Sequence, residues 1–118
     1  MEMVAEVNVL AEKAGLGATN AQRLIEVFPK AASMLCSKRM NGGEYYQGQP
    51  MAEVSLARAL AAKVLNLAKR LTVSLPVYEV AVNHLAVADK LAGPEGEITG
   101  IYGAVRVESG LGFQNSGK

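Results

Sequence analysis

Apolar residues recur at steps of three and four along most of the chain, in stretches separated by Gly, Pro or Asn. That is the period of amphipathic helices. The longest such stretch runs from Pro50 to Leu91 and contains a hard stop at Ser74-Leu75-Pro76. On its first arm Leu56, Leu60, Val64, Leu67 and Leu71 share one side of a helix, with Ala57, Ala59, Ala61, Ala62 and Ala68 around them. On its second arm Val77, Val80, Ala81, Leu85, Ala88 and Leu91 make a facing stripe. The pattern predicts a long antiparallel helical hairpin that forms the core of a larger helical domain.

Shorter elements flank the hairpin. Met3 to Ala14 reads as a helix with Val7, Leu10, Ala11 and Ala14 inward, ended by Gly15 with Leu16 closing a contact behind it. Its first turn is apolar and has no Asp, Ser or Thr cap, the mark of a fragment or of a helix that docks on a neighbour. Thr19 and Gln22 fit a capping box, opening a short helix that carries Leu24, Ile25 and Phe28 and ends at Pro29. Lys30 to Met40 is helical again, with Ala31, Met34, Leu35 and Cys36 inward, and stops at Asn41-Gly42-Gly43. Glu44 to Gln49 reads as a loop, and Pro50 as the start of the long helix. Gly93-Pro94-Glu95-Gly96 is a second loop.

From Ile98 to Val107 two patterns compete. Ile98, Ile101, Tyr102 and Val105 suit a helix; Ile101, Gly103, Val105 and Val107 suit a strand. A lone strand would have no partner, so a short helix is expected. The polar, glycine-rich residues from Gly110 are expected to fray. The resulting expectation is an all-α domain of five to six helices over residues 1–109, with a flexible tail at 110–118.

Composition narrows the function classes. A chain of 118 residues suggests one domain. Half the residues are hydrophobic but only 5% aromatic, which favours packed helices over a sheet. A net charge of +1 gives no electrostatic case for binding nucleic acid or an anionic membrane. A single cysteine fits a reducing compartment. The acidic start is unlike a secretory signal, and no apolar run reaches the roughly 18 residues of a membrane span. A soluble cytoplasmic protein is expected.

Few residues can do chemistry. His84 is the only histidine, and without a Cys or Asp cluster it reads as a hydrogen-bonded boundary residue, not a metal ligand. Cys36 has no histidine or CxxC companion and reads as a buried thiol. Lys63, Asn66 and Arg70 form one polar stripe on the long helix. Its plain reading is a solvated face; its functional reading is a site where an amide and two cations hold a carboxylate or phosphate. Tyr45 and Tyr46 beside Gly42-Gly43 suit a loop anchor or a ligand lid. The residues alone describe a soluble helical domain without a self-contained active site.

Four segments carry a resemblance. Ala5-Glu6-Val7-Asn8-Val9-Leu10-Ala11-Glu12-Lys13-Ala14-Gly15-Leu16 resembles the "AEALALAEKAGLD" helix of the β-hydroxyacid dehydrogenases. That family includes the 3-hydroxyisobutyrate and tartronate-semialdehyde enzymes and, more distantly, 6-phosphogluconate dehydrogenase. Ala31-Ala32-Ser33-Met34-Leu35 followed by Lys38-Arg39-Met40 is similar to their "GSWMLENRGPRML" segment. Leu65 to Pro76 resembles "LALETAAALGVPLP", and Gly96 to Ile101 resembles the closing "GxxDFSALI". The four matches occur in the family's order and cover nearly the whole chain.

The resemblance implies the all-helical C-terminal domain of an NAD- or NADP-dependent dehydrogenase. In that family the domain covers the nicotinamide end of the cofactor, shapes the substrate pocket and builds the dimer. The main cofactor cradle is a Rossmann domain, which needs a strand–GxGxxG–helix unit absent here. The family's catalytic lysine and its asparagine precede the first matched segment, so this chain alone is expected to be inactive and to bind little or no cofactor. The family's cofactor-facing Lys-Asp pair falls at Ala59-Leu60. Lys63, one turn along from Ala59, would replace that lysine only if the ligand moved by about 6 Å.

Three readings follow. The chain is a separately made piece of a larger dehydrogenase that works with a Rossmann domain, a non-enzymatic relic serving as a helical binding or assembly module, or an unrelated helical interaction domain. The four matches favour the first two. The Ala59-Leu60 replacement favours the relic over the working piece. A homo-oligomer, most simply a homodimer, is expected because a first helix that is apolar from its start needs a covering neighbour.

Overall fold

A computed structural model describes residues 1–26 and 32–116, and all regular elements among them are helical. They are α1 (Glu2–Lys13), α2 (Gly17–Glu26), α3 (Ala32–Asn41), α4 (Glu44–Gln47), α5 (Val54–Arg70), α6 (Pro76–Ala92), a single 3-10 turn (Ile98–Gly100) and α7 (Ile101–Glu108). The all-α expectation holds, with one more short helix than expected because the two-tyrosine loop winds into α4. The ambiguous stretch from Ile98 is helical. The expected stop at Pro29 and the placing of Leu24, Ile25, Phe28 and Ala31 lie outside the described residues and side chains.

The centre of the fold is α7. Ile101 through Arg106 are buried without interruption, so this short helix has neighbours on every side. Val4, Ala5 and Val9 of α1, Cys36 and Met40 of α3, Tyr45 of α4, Val54 of α5, and Leu85 and Ala88 of α6 complete the core around it. One side of α7 is open only because residue 103 is glycine. A Cβ there would lie 2.3 Å from the Phe113 ring. Phe113 uses that slot, with its ring edge-on to Tyr45 at 5.7 Å between centroids.

Within the segment expected to fray, residues 112–115 are held by side chains of α4 and α7. Tyr45 donates to the Phe113 carbonyl at 2.6 Å and accepts from the Asn115 amide at 2.7 Å; Tyr46 donates to the Asn115 carbonyl at 2.9 Å. Arg106 Nε and Nη2 donate to the carbonyls of Gly112 (2.9 Å) and Gln114 (3.3 Å). The segment is polar because its backbone is held by side chains, not because it is free. The two tyrosines anchor it.

The hairpin of α5 and α6 is present, but its inner and outer faces differ from the expectation. Val54, Ala61 and Ala68, seven residues apart, are the buried positions of α5. Leu56, Leu60, Val64, Leu67 and Leu71, expected in the core, are between 41% and 64% exposed. On α6, Leu85 and Ala88 are buried as expected, whereas Val77, Val80 and Leu91 are exposed. The reason is steric: small side chains let two helices approach closely, so the alanine edge makes the seam and the leucine edge turns out. The same correction applies to Leu10, Ala14 and Leu35, which are exposed, while Asn8, Ser37 and Met40 are buried.

Helix ends explain the remaining shifts. At the end of α1, Gly15 takes a left-handed φ of 72°. Its amide and that of Leu16 reach back to Glu12 (3.1 Å) and Ala11 (3.0 Å), a Schellman closure. Gly17, also left-handed, starts α2 two residues before Thr19. The expected capping box therefore does not form, and Gln22 donates to Glu26 instead. The start of α5 moves from Pro50 to Val54. The Val54 and Ser55 amides donate to the carbonyls of Gly96 (2.8 Å) and Pro94 (3.0 Å), so the second loop satisfies donors that a side-chain cap would otherwise take.

The end of α5 repeats the Schellman pattern with a costly residue. Thr72 and Val73 donate back to Lys69 (3.2 Å) and Ala68 (2.9 Å), and Thr72 sits at a φ of 57°. A β-branched residue is strained in that region, whereas glycine is not. We predict that Thr72→Gly stabilises the domain by about 1 kcal/mol. Urea denaturation reads this directly, and an unchanged or lowered midpoint would contradict it.

Candidate functional site

The three site residues expected from the sequence, Lys63, Asn66 and Arg70, lie exposed along α5. Their side chains enter none of the hydrogen bonds or ion pairs among the described residues. Ala59 and Leu60, where the resemblance places a Lys-Asp pair, are exposed on the same helix. The polar stripe thus runs beside the outward leucine face, along one solvent-facing surface. Arg58 is engaged elsewhere, in an ion pair with Asp89 that ties the start of α5 to the end of α6.

The buried charged groups form three clusters instead. In the first, His84 of α6 stands between two carboxylates. Its Nδ1 faces Glu2 of α1, and its Nε2 donates to Glu108 of α7 at 2.8 Å. A neutral imidazole has one donor and one acceptor, so two carboxylate partners call for the doubly protonated ring. Burial alone pulls the pKa down; the Glu108 hydrogen bond and the Glu2 charge outweigh it, and the net shift is upward. His84 is therefore the hydrogen-bonded residue expected, but as an ionic clasp joining three helices.

In the second cluster, Glu97 is 3% exposed and precedes the 3-10 turn. It accepts from Arg39 of α3 (3.0 Å), the Met51 amide (2.6 Å) and the Thr99 amide (3.3 Å). Arg39 also donates to Glu44 (3.0 Å) and the Gln49 carbonyl (2.8 Å). This pair fixes the loop that leads into α5. In the third, Arg106 of α7 pairs with Glu12 of α1, lies over the Tyr102 ring at 5.5 Å and holds the C-terminal segment. Tyr102 donates to the same Glu12 at 3.2 Å.

Each cation in these clusters is already matched by carboxylate. Burial pushes the Cys36 thiol above its ordinary pKa, which disfavours the nucleophilic thiolate. Among the described residues no group of three or more His, Cys, Asp or Glu side chains is placed to hold a metal ion. Nor is any described helix long and apolar enough to cross a membrane.

No family model matches the chain. No solved structure matches it either. Over 114 residues, 96% of its length, it is 44% identical to a protein named NADH-dependent oxidoreductase ucdB from Aspergillus ustus. The chain spans about 40% of that relative. The likeness therefore covers these helices almost completely, while most of the relative lies beyond them.

Sequence reasoning passed over Glu97, Arg39, Arg106 and Glu12, since single charges at helical spacing look like solvated faces. The available signal was positional: Glu97 follows a glycine loop and stands two residues before Thr99, where a carboxylate can cap a turn.

The clasp at His84 has a defined pH signature. Its folded pKa lies above the unfolded value of about 6.5. Its contribution is thus fully present below that unfolded value and is lost as pH rises through the folded pKa. We predict that stability in urea falls as pH is raised from mildly acidic to mildly basic, and that His84→Gln flattens this slope. Equal slopes in the two proteins would contradict the assignment.

Proposed function

We propose that this chain is the helical domain of a nicotinamide-dependent oxidoreductase of the β-hydroxyacid dehydrogenase type. In this reading it closes over the nicotinamide end of NAD or NADP and the substrate, while a Rossmann domain supplies the main cradle and the catalytic lysine. The observation that carries the reading is the 44% identity, spread over nearly the whole chain, to part of a protein named as an NADH-dependent oxidoreductase. The all-helical architecture among the described residues supports it, because that is the architecture the resemblance implies for this domain.

Within this reading, Lys63, Asn66 and Arg70 are the groups assigned to the cofactor, as exposed donors for its anionic oxygens. The outward leucines of α5 are assigned to a second copy of the chain. A contiguous apolar face of this kind marks an interaction surface. One observation favours a second reading, a non-catalytic assembly module: Ala59 and Leu60 stand where the family places its Lys-Asp pair.

The test uses this chain alone and fused to the remaining sequence of the relative. Calorimetry should detect no micromolar binding of NADH or NADPH to the chain alone. The fusion should bind NADH and oxidise it with a hydroxyacid-derived carbonyl substrate, and Lys63→Ala should weaken that binding. A folded fusion that binds NADH but does not turn over would favour the assembly module. Micromolar binding by the isolated chain would overturn the division of labour proposed here.

A further inference from the structure

Asn41-Gly42 is the single Asn-Gly pair in the chain. Such a pair is chemically labile, because glycine has no side chain to hinder its own amide nitrogen as it attacks the neighbouring side chain. The Gly42 nitrogen gives up its proton and bonds to Cγ of Asn41. The Cγ–Nδ2 bond breaks, and that nitrogen leaves as ammonia, taking up the displaced proton. Water then opens the cyclic imide at either carbonyl, leaving aspartate or isoaspartate at position 41. The reaction needs nothing but water.

The fold holds this pair away from that chemistry. Asn41 closes α3, and the Gly42 amide donates to the Lys38 carbonyl at 2.8 Å. A nitrogen so engaged keeps its proton and points along the helix, away from the side chain it would attack. The Asn41 side chain is engaged as well: Nδ2 donates to Asn8 Oδ1 (3.2 Å) and Ser37 Oγ (3.4 Å). The C-terminal segment straps this helix end. Asn115 donates from its side chain to the backbone carbonyls of Met40 (2.9 Å) and Asn41 (3.1 Å). Its own backbone is gripped by Tyr45 and Tyr46.

We propose that Asn41 is a deamidation site gated by the C-terminal segment, and that the reaction makes opening of this end of the fold one-way. The Gly42 nitrogen reaches Cγ only after the strap lifts and the last turn of α3 unwinds. Either product lacks the NH2 group that bonds Asn8 and Ser37. Either also places a negative charge at the C-terminal end of α3, which the helix dipole opposes. Isoaspartate in addition routes the backbone through Cβ and Cγ, displacing the carbonyl that Asn115 holds. The lifted segment then cannot regain its contacts. The inference stands on these contacts and not on the oxidoreductase reading.

The experiment incubates the full chain in warm, mildly basic buffer with and without urea, then follows tryptic peptides by mass spectrometry. Asn41 is the only asparagine between Arg39 and Arg58, so its peptide reports it alone. That peptide should convert in urea and do so about tenfold or more slowly in the folded chain. The peptide carrying Asn66, which precedes a leucine, should stay unchanged in both. Asn115→Ala should keep the helical circular dichroism and speed conversion without urea about tenfold. If that variant does not fold, Tyr46→Phe, which removes the bond to the Asn115 carbonyl, gives the same readout. Converted protein returned to native buffer should show a lowered urea midpoint. Equal rates with and without urea, or no conversion in urea, would overturn the site. A folded variant that converts no faster would overturn the gate, and an unchanged midpoint would overturn the one-way consequence.

Discussion

The packing of α7 constrains everything else. A short helix whose first six residues are all buried must be covered by long-range neighbours, and each neighbour is held in register by the residue it meets. Gly103 admits the Phe113 ring and so fixes the C-terminal segment. Tyr102 and Arg106 reach Glu12 and so fix α1. Glu108 meets His84 and so fixes α6. An aliphatic core built largely from Ala and Val has few large shapes to specify a unique arrangement. Here the three ionic contacts and the one aromatic cluster, Tyr45, Tyr46, Tyr102 and Phe113, take that role.

Such buried ion pairs are poor sources of net stability, because desolvation offsets most of their attraction. Their value lies in the penalty for breaking them. Arg39 joins α3, α4, the loop before α5 and Glu97 through one guanidinium. An apolar substitute could not tie two helices, a loop and the residue before the 3-10 turn together with directional bonds. The same logic explains why the polar C-terminal segment is ordered: its carbonyls and amides have side-chain partners waiting for them.

Helices were legible because their period is local. The glycine stops after α1 and α3 and the loop before Glu97 follow from residues within a turn of each other, whereas at Ile98 the local pattern fits helix and strand alike and only the want of a partner strand decides. Burial was less legible. Leu56, Leu60, Val64, Leu67 and Leu71 have the pattern of a core stripe, yet α5 is apolar on two adjacent edges. Which edge meets α6 depends on how close the helices come, a property of the pair and not of either sequence stretch. Buried charges were hardest to foresee. Glu12 and Arg106 are 94 residues apart, and His84 and Glu2 are 82 apart. Nothing local announces such partners.

The outcome for α5 shapes the functional reading. Under the function proposed above, its alanine edge packs within the domain and its outward leucines meet a second copy of the chain. The most direct test is to replace Leu60 and Leu67 together with lysine and to measure helicity, urea stability and sedimentation at micromolar concentration. The account predicts that the original chain self-associates, and that the double variant is monomeric with helicity intact and stability changed by less than about 1 kcal/mol. Loss of folding in the variant would place these leucines in the core and contradict the account; a monomeric original chain would remove the second copy as the partner of that face.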